Sequence, residues 1–345
     1  MHNEDLDSTL ILAASCFAAE EREAPPPAGT PKAFVLPQSN SFTLKNGMKV
    51  TLAQHGSVPM AAVSARVAFG RANEGADQVW LSTLVAELMK ELYAPFVRTN
   101  HPIIIMDVVS AELTKYAANG FLATKISFIN EIANICSRTG ADIKMVRQGI
   151  GSDRRIGPLF LFPGLGYGGS CFPKDVKAVI RTGAEFGMPL DLLEAVQRVN
   201  DRQKLVMLDK LRFVLQGRLE GRTVAVWGLA FKAETDDMRE SPAIPLVEGL
   251  VAAGARVQAH DPKAMTAARE VFGDRIHYAS DPYGAAKGAD ALAVVTEWLV
   301  YRNPNFERLK GVLRQPLIVD GRNLYDPVRL RGMGFIYSGI GRLPA

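Results

Sequence analysis

The sequence predicts an α/β protein in which a short α+β segment leads into a helical domain, and the helical domain into a doubly wound parallel sheet. Three observations predict it. Toward the carboxyl end, short strand-like runs (Thr223-Val-Ala-Val-Trp-Gly228, Arg256-Val-Gln-Ala-His260, Asp290-Ala-Leu-Ala-Val-Val295 and Pro316-Leu-Ile-Val-Asp320) alternate with longer stretches of helical character, the pattern of parallel strands joined by crossovers. From about residue 110 to 215 apolar residues recur at helical spacing. Between residues 41 and 69 the period is two, around an Asn46-Gly47 turn signal.

Composition bounds the function. The 345 residues are 48% hydrophobic and 22% charged, as expected of a globular protein with room for two or three domains. A net charge of +4, with no basic runs, does not suggest nucleic acid and suits an anionic small molecule. The three cysteines, Cys16, Cys136 and Cys171, are odd in number and widely spaced, which argues against a disulfide framework or zinc knuckle and for a reducing, cytoplasmic setting. No apolar run reaches the roughly 18 residues of a membrane span. Leu10–Ala19 has the apolar character of a signal-peptide core, but Glu4, Asp5 and Asp7 precede it where a signal carries positive charge.

In chain order, residues 1–40 read as a linker, with Pro, Ala and Glu concentrated in 20–40. Residues 41–53 read as a hairpin, 60–69 as a strand and 78–91 as an amphipathic helix. A central domain over 92–216 follows, with a long helix starting near a Ser110 cap and running to about Cys136. Within it Lys115 and Asn119, at i and i+4, project from one face and can bracket one small polar group. A second helix spans about 142–149, and Leu190 to about Leu215 reads as one further long helix. In the domain over 217–345, Ser241 with Pro242 opens the first crossover helix.

The segment around which this arrangement turns is Pro163-Gly-Leu-Gly-Tyr-Gly-Gly-Ser-Cys-Phe-Pro-Lys-Asp-Val176. Gly164, Gly166, Gly168 and Gly169 permit positive φ and close approach of the backbone to a ligand. Pro173 fits the first turn of a helix reaching about Phe186. Cys171 therefore sits at a helix start with Lys174 close by, a setting that favours thiolate and marks it as a nucleophile. Gly164-Leu-Gly-Tyr-Gly-Gly169 has the look of a dinucleotide fingerprint, but no strand precedes it.

The same segment resembles the active-site signature of the UDP-glucose 6-dehydrogenase branch of the UDP-glucose/GDP-mannose dehydrogenase family. Leu92-Tyr-Ala-Pro-Phe96 and the run from Met106 to Asn119 extend the likeness, which holds to about residue 335. The resemblance implies a helical domain that forms a dimer and a sheet domain that holds UDP. It implies oxidation of a primary alcohol to a carboxylate with NAD, through thiohemiacetal and thioester intermediates on Cys171. By the same resemblance Lys115, Asn119 and Asp175 join Cys171 as catalytic groups. Phe160, Leu161, Phe162, Pro163, Gly164, Gly168, Lys232 and Arg322 meet the substrate, and Arg155 reaches a substrate in a neighbouring subunit. Lys174 and Arg239 are left for the cofactor, and no metal is expected.

Two features depart from that pattern. Residues 41–91 resemble instead the opening of a pitrilysin/insulinase-like peptidase domain, whose H-x-x-E-H positions here read Leu84-Val-Ala-Glu87-Leu88. Lacking both imidazoles, Glu87 is expected on a solvated helix face with no metal. Further, no strand in the chain is followed by the G-x-G-x-x-G turn on which the family's NAD domain rests, as a gene fusion, a truncation or a misassembled reading frame would produce. The expected function is the dehydrogenase chemistry; the alternative is a UDP-sugar-binding or dimerising remnant, and a peptidase-like interaction module is disfavoured by the missing histidines.

Overall fold

The computed structural model describes residues 39–43, 49–53, 81–94 and 103–342. The chain divides into two compact units, Met1–Val108 and Val109–Ala345. In the first, strands β1 (Ser39–Thr43) and β2 (Lys49–Ala53) pair antiparallel with Ser41 opposite Thr51, the hairpin that the alternation predicts. Helix α1 (Leu81–Tyr93) follows. On it Glu87 is exposed and pairs with Lys90 at 2.7 Å, a solvated-face arrangement. The expected linker over 1–40 lies largely, and the strand over 60–69 wholly, outside the described residues.

The second unit opens with α2 (Val108–Thr139), 32 residues and so about 48 Å long. It begins two residues before Ser110, which lies inside the helix and does not cap it. Helix α3 (Ile143–Gly151) is capped by Asp142, whose side chain accepts from the Lys144 N–H. The cysteine helix α4 (Cys171–Glu185) starts at Cys171 itself, with Ser170 as its cap residue and Pro173 in its first turn. The single helix expected over 190–215 is two, α5 (Asp191–Gln203) and α6 (Val206–Val214). The chain turns at Lys204 and Leu205, where the Lys204 side chain leaves the helical stack to meet Glu240 at 2.7 Å. Apolar periodicity carries across such a turn, which is why the sequence reads as continuous.

The sheet domain contains β3 (Thr223–Trp227), α7 (Ala243–Ala252), β4 (Arg256–His260), α8 (Met265–Phe272), β5 (His277–Tyr278), α9 (Pro282–Ala286), β6 (Ala291–Val294), α10 (Leu299–Arg302), α11 (Phe306–Val312), β7 (Leu317–Asp320), α12 (Pro327–Gly332) and β8 (Ile336–Gly339). All its pairings are parallel, in the order β5-β4-β3-β6-β7-β8. The order reverses between β3 and β6, so this is a doubly wound sheet with its crevice at the carboxyl ends of those strands. Strands β5 and β8 escape sequence reading because one is two residues long and the other begins with an exposed isoleucine.

Strand β3 is buried throughout, and its residues divide by parity. Val224 and Val226 join one core with Leu246, Leu250 and Val257, whereas Ala225 and Trp227 face Leu292, Tyr301 and Ile318 in another. The first core also takes Ile129, Ala133 and Cys136 from the end of α2. Gly341 closes this seam: a Cβ there would lie 2.7 Å from Ile143 and 2.8 Å from Ala133, and its carbonyl accepts the Ile143 N–H. The helical layer and the sheet thereby share one interior.

Candidate active site

The glycine turn of residues 164–169 is buried, and its polar backbone needs partners. Three amide side chains supply them. Asn130 Oδ1 accepts from the Gly164 N–H at 2.8 Å, Gln203 donates to the Gly164 carbonyl at 2.6 Å, and Asn200 both accepts from the Tyr167 N–H at 2.8 Å and donates to its carbonyl. Asn134 holds Gln203 in turn at 2.8 Å. These residues, on α2 and α5, are the site-building groups that sequence reading missed. Their signal is Asn at i and i+4 on α2 and Asn and Gln at i and i+3 on α5, polar positions on otherwise apolar helix faces.

Gly166 and Gly169 adopt φ of 89° and 82°, the left-handed region that glycine enters without strain. The close approach made by these glycines is to the protein itself, whereas the sequence suggests approach to a ligand. A Cβ on Gly168 would collide with the Glu240 carbonyl, one on Gly169 would stand 2.7 Å from the Phe231 ring, and one on Gly166 would stand 2.6 Å from Asn200 Oδ1. The Gly169 N–H donates to the Arg239 carbonyl at 2.8 Å. The turn is thus clasped by the loop after β3. Its upstream end meets the loop after β7, where a Cβ on Gly164 would be 3.5 Å from Arg322 Nη1.

Beyond the turn the chain enters α4 with Cys171 exposed and Ser170 Oγ 3.7 Å from its sulfur. Asp175 follows one helical turn later on the same face and is fully buried. Its Oδ2 accepts from Asn119 Nδ2 at 2.6 Å and lies 3.5 Å from Lys115 Nζ. Its Oδ1 has no hydrogen-bond partner among the described residues. Lys115 and Asn119 are thereby brought, across the 56 residues that separate Asn119 from Asp175, to the helix that begins with Cys171.

The other predicted residues fall into two groups. Phe160, at φ 62°, packs edge-on to Phe172, which packs edge-on to Tyr167. Leu161 is buried, while Phe162 is exposed beneath the Arg147 guanidinium at 4.2 Å; Pro163 completes the run into Gly164. Lys232 is exposed, its ammonium 5.4 Å from the centre of the Phe231 ring that abuts Gly169. Arg322 donates to the Val295 and Phe231 carbonyls at 2.7 and 3.0 Å and pairs with Glu297, so it ties the ends of β6 and β3 together beside Gly164. Lys174 is exposed in the first turn of α4. Two arginines are engaged locally: Arg155, exposed, forks onto Asp153, holding that carboxyl below its usual range and its own guanidinium above it, and Arg239 forks onto Asp237.

At the switch point of the sheet the amides of Leu229 and Ala230, just after β3, donate to Asp261 Oδ2 at 2.7 and 3.1 Å, and Trp298 Nε1 adds a third donor at 3.1 Å. A carboxylate of the protein's own therefore occupies the amides that a dinucleotide fold turns toward pyrophosphate. No group of residues suited to hold a metal ion occurs among the described residues, nor does any helix there have the length and apolarity to cross a membrane.

Comparison with known proteins matches residues 109–202 to the central domain of the UDP-glucose/GDP-mannose dehydrogenase family and residues 225–327 to its UDP binding domain. A UDP-glucose 6-dehydrogenase of Pseudomonas aeruginosa is 52% identical over 265 residues, covering 75% of this chain and 58% of that protein. The UDP-glucose 6-dehydrogenase YwqF of Bacillus subtilis is 40% identical over 304 residues, covering 88% of this chain and 64% of its own. Among solved structures, a UDP-glucose dehydrogenase of Pyrobaculum islandicum superimposes with a TM-score of 0.66 at 38% identity, over 75% of this chain and 57% of that one. The chain thus spans about three fifths of the length of these relatives. With two of the family's domains matched in order, and with a helical layer and six-stranded parallel sheet like those of its solved structures, the chain belongs to the UDP-glucose/GDP-mannose dehydrogenase family.

Proposed function

We propose that this chain carries the nucleophile and the sugar-nucleotide site of a UDP-glucose 6-dehydrogenase. The observation that carries the reading is the convergence of Lys115 and Asn119 on buried Asp175, one helical turn from exposed Cys171. In this reading the Cys171 sulfur adds to the aldehyde carbon of an oxidised sugar to give a thiohemiacetal. Loss of a hydride from the thiohemiacetal carbon to a nicotinamide-class oxidant would leave a thioester, which water cleaves to release carboxylate and return the thiol. The Lys115 ammonium and the remaining N–H of the Asn119 amide stabilise the oxyanion. The unpartnered Oδ1 of Asp175 orders the attacking water.

The sheet domain holds the nucleoside diphosphate, with Lys232 and Arg322 as its cations, and the segment of Phe160, Leu161, Phe162, Pro163, Gly164 and Gly168 meets the sugar. Arg155 reaches a substrate in the second subunit of a homodimer built on α2. Support for that pairing is the exposure of Phe121, Phe128 and Ile135, which stand seven residues apart and so share one face of α2. Reliance on a reduced cysteine fits a cytoplasmic setting.

The reaction class takes NAD, and the described residues do not fit it. The β3 turn amides are already bound to Asp261, and the glycine turn of 164–169 follows α3, not a strand. Lys174 and Arg239 are the cations left for a cofactor, and two cations without an amide cradle leave a pyrophosphate unoriented. No hydride step is assigned to residues of this chain. The same observation favours a second reading, in which the chain binds UDP-sugar, or pairs with another subunit, without turnover.

Calorimetric titration with UDP-glucose tests the sugar-nucleotide site common to both. Saturable binding that UDP alone also shows supports that site, and the absence of binding at millimolar ligand overturns the first reading and leaves only pairing from the second.

A further inference from the structure

The loop after β3 reaches the cysteine segment through two adjacent residues. The Arg239 carbonyl accepts the Gly169 N–H at 2.8 Å, and the Glu240 carbonyl lies so close to Gly168 that no Cβ would fit between them. Glu240 holds this position at φ 53°, a left-handed conformation uncommon for a residue with a Cβ, and two ion pairs hold its side chain. Its carboxylate receives Lys204 Nζ at 2.7 Å and Lys177 Nζ at 3.1 Å. Lys204, at the α5–α6 turn, is itself buried, and Lys177 stands six residues beyond Cys171 on α4.

Tyr167, Lys177, Asn200, Lys204 and Glu240 line a small cavity of about 10 Å³ beside α4. The paired lysines, hydrogen-bonded Lys204 foremost, hold the Glu240 carboxyl below its usual range.

We propose that Glu240 is a positioning residue for Cys171, acting as a clamp whose carboxylate, gripped by Lys204 and Lys177, presses its own backbone onto Gly168 and so fixes the two residues that lead into the nucleophile's helix. The clamp takes its purpose from the reading of Cys171 as the nucleophile. Its test uses neither substrate nor cofactor, so failure of that reading and failure of the clamp are separate results.

The test is amide hydrogen exchange of the full chain, followed on peptides covering residues 164–172 and, as internal control, β3. Glu240→Ala is expected to speed exchange in 164–172 at least tenfold while β3 changes less than threefold. Glu240→Gln, which keeps an oxygen for Lys204, is expected to stay within threefold of wild type in both. This recovery by the conservative variant is something a general loss of stability would not give. Unchanged exchange in 164–172, an equal rise in both regions, or no recovery by glutamine would each overturn the proposal. Should Glu240→Ala not fold, Lys204→Met and Lys177→Met, each releasing one arm, carry the same comparison and the same overturning results.

Discussion

Asn119 Nδ2 lies 2.6 Å from Asp175 Oδ2, a bond between the long helix α2 and the helix that begins with Cys171. Because Asp175 is fully buried, this bond is a condition of keeping a carboxylate inside the protein. Hydrogen bonds to charged groups contribute about 1.5–3 kcal/mol. Asn119→Ala is expected to lower unfolding free energy by about that amount, read from the urea midpoint at constant m-value. A loss under about 0.5 kcal/mol would mean that Lys115, 3.5 Å away, holds Asp175 alone.

The two cysteines of the described residues differ in access. Cys171 is exposed, while Cys136 is 3% exposed in the main core, and burial pushes its thiol above the usual range. Iodoacetamide near neutral pH followed by peptide mapping is expected to label Cys171 well before Cys136, since the thiolate is the reacting form. Earlier labelling of Cys136 would remove Cys171 as the reactive thiol.

Lys232 is exposed beside the ring that abuts the glycine turn. If it meets the diphosphate of a sugar nucleotide, Lys232→Ala weakens UDP-glucose binding by about 1.5–3 kcal/mol, roughly ten- to a hundredfold in dissociation constant. Equal affinity of mutant and wild type in calorimetry would assign the phosphates elsewhere.

With UDP-glucose and NAD both saturating, the purified chain is expected to show no sustained rise in NADH absorbance. Positioning of reacting groups is worth about 7–11 kcal/mol, and the β3 amides that could seat a pyrophosphate are bound to Asp261. Steady turnover would show that residues outside the described set, or a partner, provide a cofactor site.

His260 at the end of β4 gives a pH dependence of stability. Burial lowers its pKa from the ordinary 6.5, and its Nδ1 is 2.9 Å from the Tyr301 hydroxyl. Below 6.5 the unfolded chain takes up a proton that the folded chain resists, so stability is complete above that pH and declines as pH falls beneath it. The melting temperature is expected to drop between pH 7 and 5.5, and His260→Gln to flatten the slope. An unaltered slope in the mutant would place the titrating group elsewhere.

Much of this was written in local sequence, where each signal needs only its neighbours. The strands β3, β6 and β7 announce themselves because burial on both faces demands unbroken apolar runs, β4 because Val257 and Ala259 alternate with polar neighbours, and the helix bearing Cys171 because glycines and Pro173 mark its start. The i, i+4 placement of Lys115 and Asn119 fixes that they share a face of α2. Nothing in that spacing says which face, or what it meets. The approach of Asp175 across 56 residues of chain, the seating of Gly164 and Tyr167 on Asn130, Asn200 and Gln203, and the grip of Glu240 on one lysine of α4 and one of the α5–α6 turn depend on how the helices pack on one another and against the sheet. The break at Lys204 was equally hidden, because apolar periodicity runs on through it. Local pattern determined the elements and set Cys171 at a helix start; long-range packing alone decided which polar groups surround that start, since a buried charge or amide is placed by partners remote in sequence.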